Sequence, residues 1–227
     1  GEIDGVRERY DSLNILKYHT FWWSKEQVEL KPFGFVIDHD TGDKLAEICR
    51  DTMKKFKSNR AEIMYPLIRC FVDSEFKKGK LENVTAIIPG VIDEEILLTA
   101  HLCHPMPSAN DNASGVAVAM EALRSINELI KAGTIKAPLR TIRILLIPEY
   151  TGTYAYLQTR QDDLCKIKAG LNLDMVGGNQ SLGYGPLTLS GLPGSTPSFV
   201  MDLAEIVLGE SVKEAEGFAG SERVPSI

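Results

Sequence analysis

The stretch that most constrains this chain runs from residue 95 to residue 147. Glu95–Ala100 is a short apolar strand that ends at His101. From Asp111 to about Lys131, the residues Val116, Met120, Leu123, Ile126, Leu129 and Ile130 recur at helical spacing and predict a long helix with one apolar side. Thr141–Ile147 is then a run of leucine and β-branched residues, as expected of a strand buried on both faces. Strands that alternate with helices in this way predict an α/β fold: a mixed, mostly parallel sheet flanked by helices on both faces. Ligands in such sheets bind beyond the carboxyl ends of the strands.

The remaining elements follow the same logic. Val84–Ile88 predicts a strand, joined to Glu95–Ala100 through a Pro89-Gly90 turn. Leu171-Asn172-Leu173-Asp174 ends another short strand. Thr196 to about Leu208 predicts a helix with Thr196 as N-cap and Pro197 in its first position. Residues 1–80 read differently from 81–227. They are charged and aromatic, with Phe21-Trp22-Trp23 and the strand-like Phe33–Ile37. Asp40-Thr41-Gly42-Asp43 predicts a turn, and Asp43–Phe56 a helix on the spacing of Leu45, Ile48, Cys49, Met53 and Phe56. Glu62–Phe71 is a further strand-like stretch. Asp38-His39-Asp40 resembles the start of a calcium loop, but the glycine and glutamate positions fail, so a turn is the better reading. The chain shows no internal repeat and no low-complexity tract.

A length of 227 residues suffices for one large α/β domain or for a domain with an insert. The net charge of −6 argues against a nucleic-acid partner, because no basic patch stands out to neutralise phosphates. Lys54, Lys55 and Lys57 read as one solvated helix face, and Lys77, Lys78 and Lys80 as a turn. No run of about 18 apolar residues is present, so no membrane span is expected. Cys49, Cys70, Cys103 and Cys165 lack CxxC spacing, which excludes a zinc knot or a disulfide scaffold and fits reduced thiols in a cytoplasmic protein. No signal peptide is visible, although the chain starts at Gly1 rather than Met. Asn83-Val84-Thr85 and Asn112-Ala113-Ser114 fit the glycosylation pattern, which is short enough to arise by chance.

Four polar positions each follow an apolar strand or open the helix after one: His101, Asp111, Glu149 and Asp174. Each has a plain structural alternative. A histidine there can be a hydrogen-bonded core residue, Asp111 an N-cap, Glu149 a solvated strand end, and Asp174 a turn cap before Gly177-Gly178. Taken together, carboxylates stacked at one sheet edge repel one another unless a cation or a proton intervenes. One imidazole with carboxylates suits zinc, with manganese or cobalt as alternatives. Ser114 is a poor nucleophile candidate, since Asn-Ala-Ser-Gly is not a G-x-S-x-G elbow. Ser114 and Gly115 instead let the helix pack closely on the sheet.

His101 with Asn110-Asp111-Asn112-Ala113-Ser114-Gly115, Pro148-Glu149 and Asn172-Leu173-Asp174 resembles the M28 family of zinc aminopeptidases. The longer string from His101-Leu102-Cys103-His104-Pro105 to Ser108-Ala109-Asn110-Asp111-Asn112 resembles an aminopeptidase-like prokaryotic subgroup of the DUF4910 type. The resemblance covers roughly residues 82–227. It implies the zinc-exopeptidase fold, of phosphorylase/hydrolase-like architecture, for a catalytic domain at 81–227. It also implies that residues 1–80 are the latter part of a smaller inserted domain resembling a protease-associated domain. His101 would then be a zinc ligand, Asp111 the carboxylate bridging two metals, and Asp174 the residue completing the first metal's set. Glu149 would be the general base that takes a proton from a zinc-activated water.

The chain also departs from the family pattern. The family carries two consecutive glutamates, the second a ligand of the second metal, and here Tyr150 takes that place. The family's last ligand is a C-terminal histidine, and none of His19, His39, His101 and His104 follows Asp174. Gly220-Ser221-Glu222-Arg223 resembles the family's Gly-Ser-Asp segment, after which residues are expected to be missing. His104 is therefore an additional ligand candidate or a pocket-lining residue, and Tyr150 an oxyanion donor or a packed tyrosine. The expected activity is that of an exopeptidase of the aminopeptidase type, with one or two zinc ions and a peptide as substrate. A non-catalytic binding protein that keeps the fold and a hydrolase of a small non-peptide amide are the alternatives. Trp22 and Trp23 offer a homo-oligomer interface or pack within the insert.

Overall fold

Among the described residues, β-branched and leucine-rich runs become four strands: β1 (Val84–Ile88), β2 (Ile92–His101), β3 (Arg140–Ile147) and β4 (Ile167–Asn172). The computed structural model describes residue 16 and residues 34–57, 67–73, 75, 77–104, 107–178, 187–192, 195 and 197–214. The strands form one sheet in the order β1-β3-β2-β4. β2 runs parallel to both β3 and β4, while β1 is antiparallel to β3. The mostly parallel sheet is as the sequence predicts. The neighbour relations are less local: β1 and β2 follow one another across Pro89-Gly90 but pair with β3 rather than with each other.

The chain divides into two compact units, residues 1–79 and 80–227, and the sheet lies in the second. Helices cover both faces of the sheet. α2 (Gly115–Lys131) packs on one face, where Ala100, Ala119, Ile144 and Leu146 are buried together and Leu98, Val116, Leu123 and Leu173 close the layer. α3 (Glu149–Thr159) covers the other face, where Leu97, Leu145 and Ile147 are buried with Tyr156 and Ile167 against them. The period-two alternation of a strand explains this sorting, because Leu98 and Ala100 point one way and Leu97 the other. Full burial of a leucine such as Leu145, 1% exposed, is worth about 2 kcal/mol. Met120 and Leu129, read from the sequence as part of the apolar side of α2, are exposed.

The α3 face also carries a charged cluster. Glu95 on β2 is buried and accepts from Arg143 (Nη2 to Oε1, 2.8 Å; Nε to Oε2, 3.0 Å) and from Arg160 (Nη1 to Oε2, 3.2 Å). Arg160 also bonds the Tyr156 hydroxyl and lies over that ring at 5.3 Å. The Arg143 guanidinium, supported by Arg160, holds the Glu95 carboxyl at about 2, against the outward push of burial.

Helix boundaries differ from expectation where caps decide them. In the first unit, α1 (His39–Lys57) starts four residues before the predicted Asp43. Asp38 is its cap: Oδ1 accepts from the Thr41 backbone N–H and Oδ2 from the Thr41 hydroxyl, both at 2.8 Å. The supposed turn at 40–43 is thus the first turn of a helix, and the calcium-loop likeness is a capping sequence. Residues 34–37 and 67–71, read as strand-like, form no strand. Residues 62–66 and Phe33 lie outside the described residues. α4 (Phe199–Glu214) starts later than predicted, with the Ser198 hydroxyl accepting from the Val200 N–H. Thr196 lies outside the described residues, as do Trp22, Trp23 and the 215–227 tail. Cys49, Cys70, Cys103 and Cys165 are free and exposed. Among the described residues no helix is long and apolar enough to cross a membrane.

Candidate metal centre

The three parallel strands end level with one another. His101 pairs with Ile147, and Thr99 with Asn172, so the segments after β2, β3 and β4 leave the sheet at one edge. The backbone continues the ladder a step further: Leu102 N–H donates to the Ile147 carbonyl and Leu173 N–H to the Thr99 carbonyl. Parallel register thereby places His101, Glu149 and Asp174 at the same edge, within two residues of their strand ends.

Asp111 arrives from the turn Ala109–Ser114, which leads into α2. It is not an N-cap. Ser114, not Asp111, stands directly before the first residue of α2, and the Asp111 N–H donates to the Ser108 hydroxyl at 3.2 Å. The capping work is done by Asn112, whose Oδ1 accepts from the Gly115 N–H at 3.1 Å. The Asp111 carboxylate is therefore left to face the strand edge. Gly115 is required here by space: a Cβ would sit 2.3 Å from the Leu173 carbonyl oxygen and 2.4 Å from Asn112 Oδ1. The close helix-to-sheet approach read from Ser114-Gly115 is this contact.

His101, Asp111 and Asp174 converge. His101 Nε2 lies 3.0 Å from Asp111 Oδ1 and 3.5 Å from Asp174 Oδ1. The donor atoms of all three residues lie within 4.8 Å of one another. The imidazole is buried, 6% exposed, and its Nδ1 lies 2.8 Å from the Cys103 carbonyl oxygen. A carbonyl only accepts, so Nδ1 carries the proton and, in the neutral ring, the Nε2 lone pair faces two carboxylate oxygens. That juxtaposition needs a positive charge between the groups, from a second ring proton or from a cation. Bonds of about 2.0–2.2 Å to a tetrahedral ion set donor atoms roughly 3.3–3.5 Å apart, close to the two distances seen. The donor set fits a divalent cation in chemistry and in spacing. The Nδ1–H to carbonyl bond is also how ligating histidines are held in their tautomer.

His104 joins the cluster from the same segment, its Nε2 3.3 Å from Asp111 Oδ2. Asp111 thus has one imidazole on each carboxylate oxygen. Glu149 opens α3 and is half-buried. Its backbone N–H donates to Cys103 Sγ at 3.1 Å, which sets it beside the 101–104 segment. Its carboxylate is not part of the three-residue convergence. Tyr150, the next residue, is 50% exposed. A cavity of about 520 Å³ opens beside His101, His104 and Asp111, and Leu102, Val116 and Met120 give it an apolar side.

The sequence pattern assigns no task to Cys103, Asn110 or Asn112. The Cys103 carbonyl orients His101, and its sulfur accepts from the Glu149 N–H. Asn112 is 3% exposed, and its Nδ2 donates to the Leu173 carbonyl at 2.8 Å while Oδ1 also accepts from the Met175 N–H at 3.2 Å. Its burial removes the glycosylation reading of Asn112-Ala113-Ser114. Gly177, not Asp174, anchors the following turn, its N–H donating to Asn110 Oδ1 at 3.1 Å.

Comparison with known proteins adds three likenesses. The family model described as a domain of unknown function (DUF4910) matches residues 17–189. Over 106 residues, 47% of this chain, the sequence is 35% identical to a Clostridium acetobutylicum protein called "Putative polysaccharide biosynthesis protein with aminopeptidase-like domain". The matched part spans 23% of that relative's length. A crystal structure of a "putative peptidase" from the same organism is similar at 34% identity and a TM-score of 0.35, over 40% of this chain and 19% of that one.

Proposed function

This chain belongs to the DUF4910 family, and from that premise we propose that it is a metal-dependent hydrolase of the aminopeptidase type. The observation that carries the reading is the convergence of His101 Nε2 on carboxylate oxygens from two separate loops. The aminopeptidase-like and peptidase names of the two relatives agree with it. His101, Asp111 and Asp174 would hold the ion, with zinc the best match to one imidazole and two carboxylates and cobalt or manganese as substitutes. When bound, the ion supplies the positive charge that acidifies a water and polarises an amide carbonyl.

The chain's own residues do the rest. Cys103 fixes the imidazole through its carbonyl, and Asp111 presents its second oxygen to His104. Glu149, the first residue of α3, whose backbone N–H donates to Cys103 Sγ, is assigned as the base that would accept a proton at its carboxylate as water attacks. Tyr150 stands where the M28 resemblance expects a second metal-binding glutamate, so one tightly held ion is the expected content, with Tyr150 as a hydroxyl donor toward developing negative charge. The substrate class is the first peptide bond of a peptide.

Elemental analysis after extensive dialysis tests the metal reading. About one zinc per chain is expected, absent from Asp111→Ala. No metal in the wild type, even after zinc is added back, would remove the basis for hydrolysis. A peptide library presented with zinc, cobalt or manganese tests the substrate: release of N-terminal residues supports the aminopeptidase reading, and inertness of a zinc-loaded protein toward every peptide moves the choice to a non-peptide amide.

A further inference from the structure

Two loops must be held at a fixed separation for His101, Asp111 and Asp174 to converge. Asp111 and Asp174 are distant in sequence, and their carboxylates repel at this distance whenever no cation lies between them. Something other than the ion has to set the spacing. Asn112, the residue after Asp111, bonds the backbone on either side of Asp174. Its Nδ2 donates to the Leu173 carbonyl and its Oδ1 accepts from the Met175 N–H. The same Oδ1 accepts from Gly115 at the start of α2, so the carboxamide is tied to the helix as well.

Three further facts show that this junction is built rather than incidental. Asn112 is 3% exposed, and its bond from the Gly115 N–H is buried. Gly115 leaves no room for a Cβ against Leu173 or Asn112, and a Cβ on Gly177 would sit 2.6 Å from Ser114 Cβ. Met175 has a φ of +55°, a left-handed conformation that long side chains rarely adopt, and the bond to Asn112 holds it there.

We propose that Asn112 is a positioning residue for the ion: its carboxamide clamps the Asp174 loop to the Asp111 turn and presets the spacing of the two carboxylates. This inference rests on the metal reading above. A pair of carboxylates held at the ligating distance before the ion arrives loses little ordering freedom on binding, so the clamp acts on affinity rather than on chemistry. Asn110 assists on the periphery through its bond to the Gly177 N–H.

The test is the zinc dissociation constant of the full chain, by competition with a chromophoric chelator, at a temperature where circular dichroism shows each variant folded. Asn112→Ala and the near-isosteric, uncharged Asn112→Leu should weaken zinc binding about 10- to 100-fold, the usual loss when a residue supporting a metal ligand is removed. Leu145→Ala, a core truncation on the opposite face of the sheet, should destabilise the fold and leave the zinc constant unchanged. If Asn112→Ala does not fold, Asn110→Ala should still weaken zinc several-fold. Wild-type affinity in the folded Asn112 variants, or an equal loss in Leu145→Ala, overturns the clamp. A wild type that binds none of zinc, cobalt or manganese overturns the metal reading and the clamp together.

Discussion

Asp174 and Gly115 separate two kinds of residue at the site. The Asp174 side chain is 40% exposed and approaches His101 Nε2 at 3.5 Å. Asp174→Asn keeps the shape and removes the charge, so the metal-free protein should melt within about 2 °C of wild type while zinc binding is lost. Calorimetry of the dialysed protein and a zinc titration check both halves. Gly115 is the reverse. A methyl group there must displace the Leu173 carbonyl, and overpacking of this kind costs about 1–3 kcal/mol. Urea unfolding of zinc-free Gly115→Ala should show that loss. His101, Asp111 and Asp174 were legible in the sequence because each stands beside an apolar run, where a charged or imidazole side chain is out of place. Asn112 and Cys103 were not. A buried carboxamide acts through bonds to distant backbone, and a carbonyl bond carries no side-chain signature at all.

At the level of elements, strand existence was written in composition, and strand order was not. Thr141–Ile147 and Val84–Ile88 carry β-branched and leucine residues whose pairing partners are decided by which faces can be buried together. β1 pairing with β3 rather than with β2 is such a case, and only the parallel preference of the central strands was readable. Helix starts failed for a local reason. Asp38 and Ser198 cap earlier or later than the hydrophobic spacing suggests, and Asp111 looks like a cap but leaves that task to Asn112. The Glu95 cluster ties β2, β3 and the end of α3 and has its own pH signature. Its carboxyl is held at about 2 instead of about 4.5. The folded state therefore gains from an ionised Glu95 at all pH above the ordinary carboxylate value, and that gain is lost as pH falls from about 4.5 toward 2. The gain is at most about 3 kcal/mol from the size of the shift. Glu95→Gln should lower stability at pH 7 by about 2–3 kcal/mol, because the part-buried Arg143 loses its carboxylate and Arg160 is left to the more distant Asp163, at 3.7 Å. Its unfolding free energy should also fall less steeply than wild type below pH 4.5, as followed by denaturant titrations across that range.

For the molecule as a whole, the edge at which three strands end is where folding and the proposed ion site meet. The sheet brings His101 into place, the turn before α2 brings Asp111, and the loop after β4 brings Asp174, so none of the donor sets exists in the unfolded chain. An ion that binds only the folded state must then raise its stability by mass action. At zinc one hundred times above its dissociation constant the gain is about 2.7 kcal/mol. For a unit of the size of residues 80–227, that corresponds to roughly 5–10 °C in the midpoint of thermal unfolding. Zinc added to the dialysed chain should produce that rise, and Asp111→Ala should show none. Magnesium should do little, since it favours an octahedral all-oxygen shell and His101 offers nitrogen. A rise with magnesium equal to that with zinc would mean that the carboxylates alone hold the ion and that the buried imidazole is there for packing. A rise with zinc alone would make His101, oriented by the Cys103 carbonyl, the residue that selects the ion.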